Sequence, residues 1–468
     1  MANTIDPRRA WERYTPDAGN PWDLKKVGHL YRRAAFGVNW NELQDGVQLG
    51  PDKLIDRLLK GGEPSPDCDA ATETFLSTAA RKFNVDQQAS GWWLYRMLYG
   101  GHPLREKLTL FWHNHFATSN AKVLNVGYMV GQYELMYRHA LGNFGELLQS
   151  MSKDPAMMVW LDTVQSKKGQ PNENYARELM ELFSLGIGNY TEKDIREAAK
   201  AFTGWEIRNG KLFVNKNEHD PGEKTVLGQS GKWTGEDIVR ICLEQKSAAR
   251  FIVLKLYRFL ISESEAPPAD LIDPLADSFR KDYDFGKLVE TILRSNLFFS
   301  ETAYRARIKP PVDYVLGMAR GLEARIGTAN NALNLTTALE TLGQNVFHPP
   351  SVKGWDGGQT WLNGQTLLFR QNLALDMARR PAGYHQPATA FVLAEAHDKK
   401  TDTDRAEFFL RLFLQGDVPE ETRKKVLDYA ASASKQKVPS YWTTEDAAEH
   451  RVVSLCHLVM TLPEYQLS

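Results

Sequence analysis

Cysteine is scarce in this chain. Cys68, Cys242 and Cys456 are odd in number and far apart. That excludes a disulfide framework and a cysteine zinc cluster, which need paired or closely spaced thiols. Long apolar runs are missing as well. No stretch approaches the roughly 18 to 20 residues that span a bilayer. The opening segment, MANTIDPRRAWERYTPDAGNPWDLKK, lacks the apolar core of an export signal. Arg8 and Arg9 are adjacent, but no apolar stretch follows them, so a twin-arginine signal is also absent. The chain therefore reads as soluble, unprocessed and cytoplasmic. An excess of one charge is the third absence. Lysine plus arginine number 57 against 58 aspartates and glutamates, a net charge of -1. A protein that binds nucleic acid by neutralising phosphates usually shows a basic excess or stripe. None is visible, so nucleic acid is not an expected partner.

What is present is an ordinary globular composition. An apolar fraction of 42% over 468 residues suffices for a large core. Apolar residues recur at helical spacing in Leu24 to Arg33, Leu54 to Leu59, Trp92 to Tyr99, Leu104 to Phe116 and Met129 to His139. Thr191 with Asp194, and Thr234 with Asp237, are capping-box starts of further helices. Helical patterns continue in Arg250 to Ile261, Leu271 to Tyr283, Phe285 to Arg294 and Pro311 to Ile326. They return in Ala406 to Leu414, Glu420 to Ala431 and Asp446 to Leu462. One segment breaks the pattern. Trp205 to Arg208, Asn209-Gly210 and Lys211 to Val214 predict a β-hairpin, because Asn-Gly accepts the positive φ angles of a type I′ turn. The turn-rich linkers 61–69, 262–270 and 379–387 are short. The expected architecture is mainly α. A large multi-helical body spans residues 1–388, with one small hairpin insert at about 205–228. A C-terminal helical subdomain, 389–468, packs on it.

Ligand-type residues gather between Arg105 and Trp233. His113 and His115 flank Asn114 at the end of a helical pattern. Two residues apart, they share a side in extended chain but lie about 200° apart on a helix. They can serve one metal only if the helix ends there; otherwise one belongs to the core. The string NENYARELMELFSLGIG predicts a helix from an Asn172 cap to a Gly186 stop. Its stripe is Ala176, Leu179, Met180 and Phe183. Asn174, Arg177, Glu178 and Glu181 share the other face. Carboxylates three apart can bind a metal or act as an acid and base. They equally suit a solvated face with intrahelical pairs. Glu218 to Lys224 concentrates His219, Asp220 and Lys224 on a loop after the hairpin. GQSGKW is not a phosphate loop, since Trp233 follows Lys232 where Ser or Thr is required. His348 to Gly358 is a stiff loop with Trp355 and Trp361 close by, fit for stacking on a flat ligand or for packing down as a lid.

The strings NPWDLKKVGHLYRRAAFG, HPLREKLTLFWHNHFATS, NENYARELMELFSLGIGNYTEKDIREAAKAFTGW, HDPGEKTVLGQSG and PPSVKGWDGGQTWLN closely resemble a bacterial family called domain of unknown function 1800. The resemblance runs from about Asn20 to Asn372, and the last helices fit the family's tail. The N-terminal wording is similar to its planctomycete branch. The resemblance implies a mainly helical protein and carries no assigned activity or catalytic residue. Genes of the family often neighbour those of domain of unknown function 1501, which is similar to sulfatases and usually carries an export signal. A partnership with that sulfatase-like neighbour is implied. Export would then need the signal-bearing partner.

Two classes of function follow. The first is an enzyme with a His and carboxylate pocket, performing hydrolysis or redox chemistry on a divalent transition metal. In it His113, His115 and His219 hold the metal. Glu178, Glu181 and Asp220 are catalytic. Arg177, Lys224 and Trp355 bind the ligand. The second is a non-catalytic helical scaffold for the sulfatase-like neighbour. A variant reading has the aromatic loop binding carbohydrate or another flat ligand.

Overall fold

The computed structural model describes residues 6–64, 68, 84–263, 266–324, 329–379, 387–433 and 439–468. Helices dominate, and the only sheets among these residues are two two-stranded antiparallel hairpins. Most predicted helices form within a few residues of their expected limits. Examples are Leu24–Ala34, Pro103–His115, Val126–His139, Phe285–Leu293 and Asp402–Leu414. Both capping boxes form, with Thr191 and Asp194 opening Glu192–Ala201, and Thr234 and Asp237 opening Gly235–Glu244. The segment expected as one helix from Leu54 is the second half of Trp40–Lys60, which kinks at Gly50 and Pro51. Parts of the three turn-rich linkers lie outside the described residues, and the helix expected to reach Ile326 ends at Gly321. Among the described residues no helix is long and apolar enough to cross a membrane.

The predicted hairpin is present in the expected register. β1 (Trp205–Arg208) pairs with β2 (Lys211–Val214), Trp205 opposite Val214 and Arg208 opposite Lys211. Asn209 and Gly210 take φ of 50° and 71°, the left-handed pair that a type I′ turn requires. A second hairpin, not predicted from the sequence, follows the expected loop. β3 (Lys224–Val226) pairs with β4 (Gln229–Gly231) around Leu227 and Gly228. Leucine disfavours the left-handed region, so the dipeptide carries little turn signal. Tertiary contacts hold it there: Leu227 donates its backbone N–H to Asp194 and rests on the core. The insert therefore runs on to Gly231.

The helix Pro103–His115 is the axis of the body. It is buried on nearly every side, which hydrophobic residues alone would explain, but Glu106 and Lys107 are buried with them. Each is matched. Glu106 accepts from Trp93 Nε1, Arg96 Nε and Tyr133 Oη at 3.0, 3.1 and 2.8 Å. Lys107 pairs with Asp313 of the helix Pro311–Gly321. Around the C-terminal end of the axis packs a continuous aromatic cluster, including Trp112, Phe116, Phe144 and Phe285. The C-terminal helices lie against this body through Gln415, which accepts from Arg32 and fits against Gly28 of the helix Leu24–Ala34.

Candidate functional site

The histidine pair ends the axial helix, and both residues are within it. They consequently point to different sides. His113 is fully buried, and its Nε2 accepts the backbone N–H of Phe347 at 3.0 Å. Rings of Trp93, Phe347 and Trp355 surround it. Burial pushes its pKa down to about 3, so it stays neutral. His115 turns the other way. Its Nε2 donates to the carbonyl of Phe183 at 3.1 Å. A carbonyl only accepts, so the proton sits on Nε2 and Nδ1 is left as an acceptor. Nδ1 receives Lys255 Nζ at 3.0 Å. Asn114, between them, accepts the N–H of Trp355 at 2.7 Å and reaches its carbonyl at 3.5 Å. The three consecutive side chains thus tie three distant segments to one helix end.

The acidic helix meets His115 through its backbone. It is α-helical over Asn174–Glu178 and then widens into a π-helix over Leu179–Ser184. The N-cap position is Glu173 and not the expected Asn172, which lies one residue earlier and accepts from the N–H of Asn174. The expected stripe of Ala176, Leu179, Met180 and Phe183 is buried. At the C-terminal end the last carbonyls have no partner within the helix. Leu182 O accepts from Lys255 Nζ at 3.1 Å, and Phe183 O from His115. π-turns recur at functional sites, and this one presents one carbonyl to a part-buried amine and the next to an imidazole.

Lys255 comes from the helix Lys246–Leu260. Burial, and then the nearby Arg258, lower its pKa from 10.5 to about 7. It lines a cavity of about 460 Å3. Five cationic side chains face that space: Lys107, Lys255, Arg258, Arg307 and Lys353. Three carboxylates oppose them, Glu263, Asp313 and Asp356. Two of the three are already paired, Asp313 with Lys107 and Glu263 with Arg307. Among the described residues Lys255, Arg258 and Lys353 take part in no ion pair, so the cavity carries a surplus of positive charge. Its walls are aromatic, with Phe111, Phe259, Trp355 and Trp361. The loop that brings Trp355 turns at Gly354, whose φ of 81° and tight approach to Asn114 leave no room for a side chain.

The remaining sequence-selected residues are distributed as follows. Glu178 is half-buried, and its carboxyl is raised by burial and by Glu181, partly offset by Arg177 and by Lys353 of the cavity. Glu181 accepts from Tyr190 Oη at 2.7 Å. Arg177 bridges Glu173 and Glu192 near the surface. His219 Nδ1 donates to Thr203 O at 3.0 Å. Asp220 receives the N–H of Gly222 on its carboxylate. Lys224 is buried and donates to the carbonyls of Asp220 and Gly222. That loop is therefore bonded largely to itself. The structure brings His115 and Trp355 to the cavity and Glu178 within the influence of Lys353. Among the described residues no group of three His, Cys, Asp or Glu side chains is placed to hold a metal.

The sequence reading missed Lys255, Lys107, Arg258 and Asn114. A signal existed for two of them. Lys107 and Lys255 interrupt strongly apolar helical segments, TLFW being preceded by EKL and KLYRFL by FIVL. A charge in such a place must find partners.

Comparison with protein families gives one match. The model of a family described as "Protein of unknown function (DUF1800)" covers residues 29–467, nearly the whole chain. The chain belongs to this family. No curated protein and no solved structure matches it. Membership in the family assigns no reaction, so the chemistry must be read from the cavity.

Proposed function

We propose that the protein is an enzyme acting on a small anionic molecule in this cavity, with Lys255 as its proton-carrying group. One observation carries the reading: a part-buried lysine with a pKa lowered to about 7 faces an aromatic cavity that holds cationic side chains without an ion pair among the described residues. General acids and bases work best with a pKa near the working pH, and such shifted groups concentrate at active sites. Arg258 and Lys353 supply charge for an anionic substituent, and Trp355 and Trp361 supply flat apolar walls. His115 and the Leu182 carbonyl of the π-helix hold the amine in place. The flat-ligand reading of the tryptophan loop is absorbed here, as the wall of an anion site.

Calorimetric titration with sulfate, phosphate and short dicarboxylates at low salt tests this. Saturable binding, weakened by salt and lost in Arg258→Ala, is expected. Absence of saturable binding for every anion, or binding that Arg258→Ala leaves unchanged, overturns it.

A further inference from the structure

Lys255 has an unusual set of neighbours for a part-buried lysine. Its partners are both acceptors with no charge: the imidazole Nδ1 of His115 and the carbonyl of Leu182. No carboxylate among the described residues lies within ion-pair distance. A neutral amine has two N–H bonds, and these two acceptors use both. The nitrogen is tetrahedral, so one direction remains beside the bond to Cε. That direction carries the lone pair, and Lys255 lines the open cavity. The amine is thus held as a nucleophile, with both hydrogens tied down.

We infer that Lys255 forms an imine with a carbonyl compound that also bears a carboxylate, an oxo acid. The inference rests on the anion site proposed above and names its substrate class. The lone pair of Nζ attacks the carbonyl carbon, forming the C–N bond while the C=O π pair moves to oxygen. A proton passes from nitrogen to that oxygen, giving a carbinolamine. The C–O bond then breaks, and the hydroxyl leaves with the second amine proton as water. Nothing is oxidised or reduced. Lysines activated in this way sit in apolar pockets or beside another cation, and here both conditions hold through Phe251, Phe259 and Arg258. Arg258 from the same helix and Lys353 from the tryptophan loop are placed to take the carboxylate. Asp356 is the one carboxylate of the cavity lining that takes part in no ion pair among the described residues. The charge-neutral His115 completes the surroundings.

The test uses the intact wild-type protein, so no variant need fold. Glyoxylate is added with sodium cyanoborohydride, which reduces imines to stable amines, and the modified lysine is located by peptide mass spectrometry. Lys255 should be the dominant site, labelled at least tenfold faster than surface lysines such as Lys425. Labelling should rise to half its maximum near neutral pH. Excess sulfate should suppress it at Lys255 alone. Label spread over surface lysines with no preference for Lys255 overturns the inference. If sulfate and dicarboxylates still bind in that case, the anion site stands without the imine. If they do not bind, both readings fall.

Discussion

The Lys107–Asp313 pair offers the sharpest test of how the cavity floor is held. Both side chains are buried, at 1% and 7% exposure. Burial lowers the Lys107 pKa from 10.5 to about 8, and Asp313 opposes that fall. The unfolded chain therefore holds more protons than the folded one between about pH 8 and 10.5, and stability rises with pH there. Asp313→Asn removes the opposing charge and leaves the ammonium beside Arg33 and Arg307. Its pKa then drops further, and proton release limits the damage. If it drops below 6, linkage sets the charge part of the loss at about 2.7 kcal/mol at about pH 6 and about 1.4 kcal/mol at about pH 7. The same relation gives almost nothing at about pH 9, where Lys107 is largely neutral in both proteins. The weakened hydrogen bond adds about 1 kcal/mol at every pH. Urea unfolding of wild type and variant at these three pH values reads the difference directly. The paired change Lys107→Met with Asp313→Leu should come within about 1 kcal/mol of wild type, since buried ion pairs are often matched by apolar replacements. A loss that does not vary with pH, or a double variant no better than the single one, refutes the reasoning.

Three further outcomes are expected. His113 titrates at about 3 when folded and 6.5 when unfolded, so its contribution to stability declines as pH falls from 6.5 toward 3; His113→Gln should flatten a series of melting temperatures over that window, and an unchanged slope counts against the assignment. Gly354→Ala forces a side chain onto Asn114 at positive φ, so it should weaken anion binding by about tenfold, an order of magnitude corresponding to about 1.4 kcal/mol; binding as tight as wild type means the tryptophan loop does not shape the site. Arg177→Ala loses only surface ion pairs with Glu173 and Glu192 and should cost less than about 1 kcal/mol in urea unfolding, with sulfate affinity unaltered. A large loss of affinity in that variant would move the site toward the acidic helix.

Much of the fold was legible in the chain itself. Helix limits, both capping boxes and the Asn209-Gly210 hairpin depend on neighbours a few residues away, and local chemistry settles them. Leu227-Gly228 escaped because a leucine at positive φ is stabilised from outside, by Asp194 and the core. The π-helix escaped for a similar reason. Its widened turn leaves Leu182 and Phe183 carbonyls to Lys255 and His115, partners distant in sequence.

The candidate site divides the same way. Sequence by itself determined that His113 and His115 lie near the end of a helical pattern, that Trp355 rides on a stiff loop, and that Ala176 to Phe183 bury one stripe. Only the tertiary structure decided that His115 faces a lysine 140 positions away and that His113 faces the backbone of Phe347. Periodicity shows which residues leave the solvent, because burial repeats with the helix turn. It does not show what a buried polar group meets inside, because that partner comes from another element. At Lys255 this partner is a neutral imidazole and a carbonyl, so no carboxylate among the described residues opposes the burial and the nearby Arg258 that let the amine shed its proton near neutral pH.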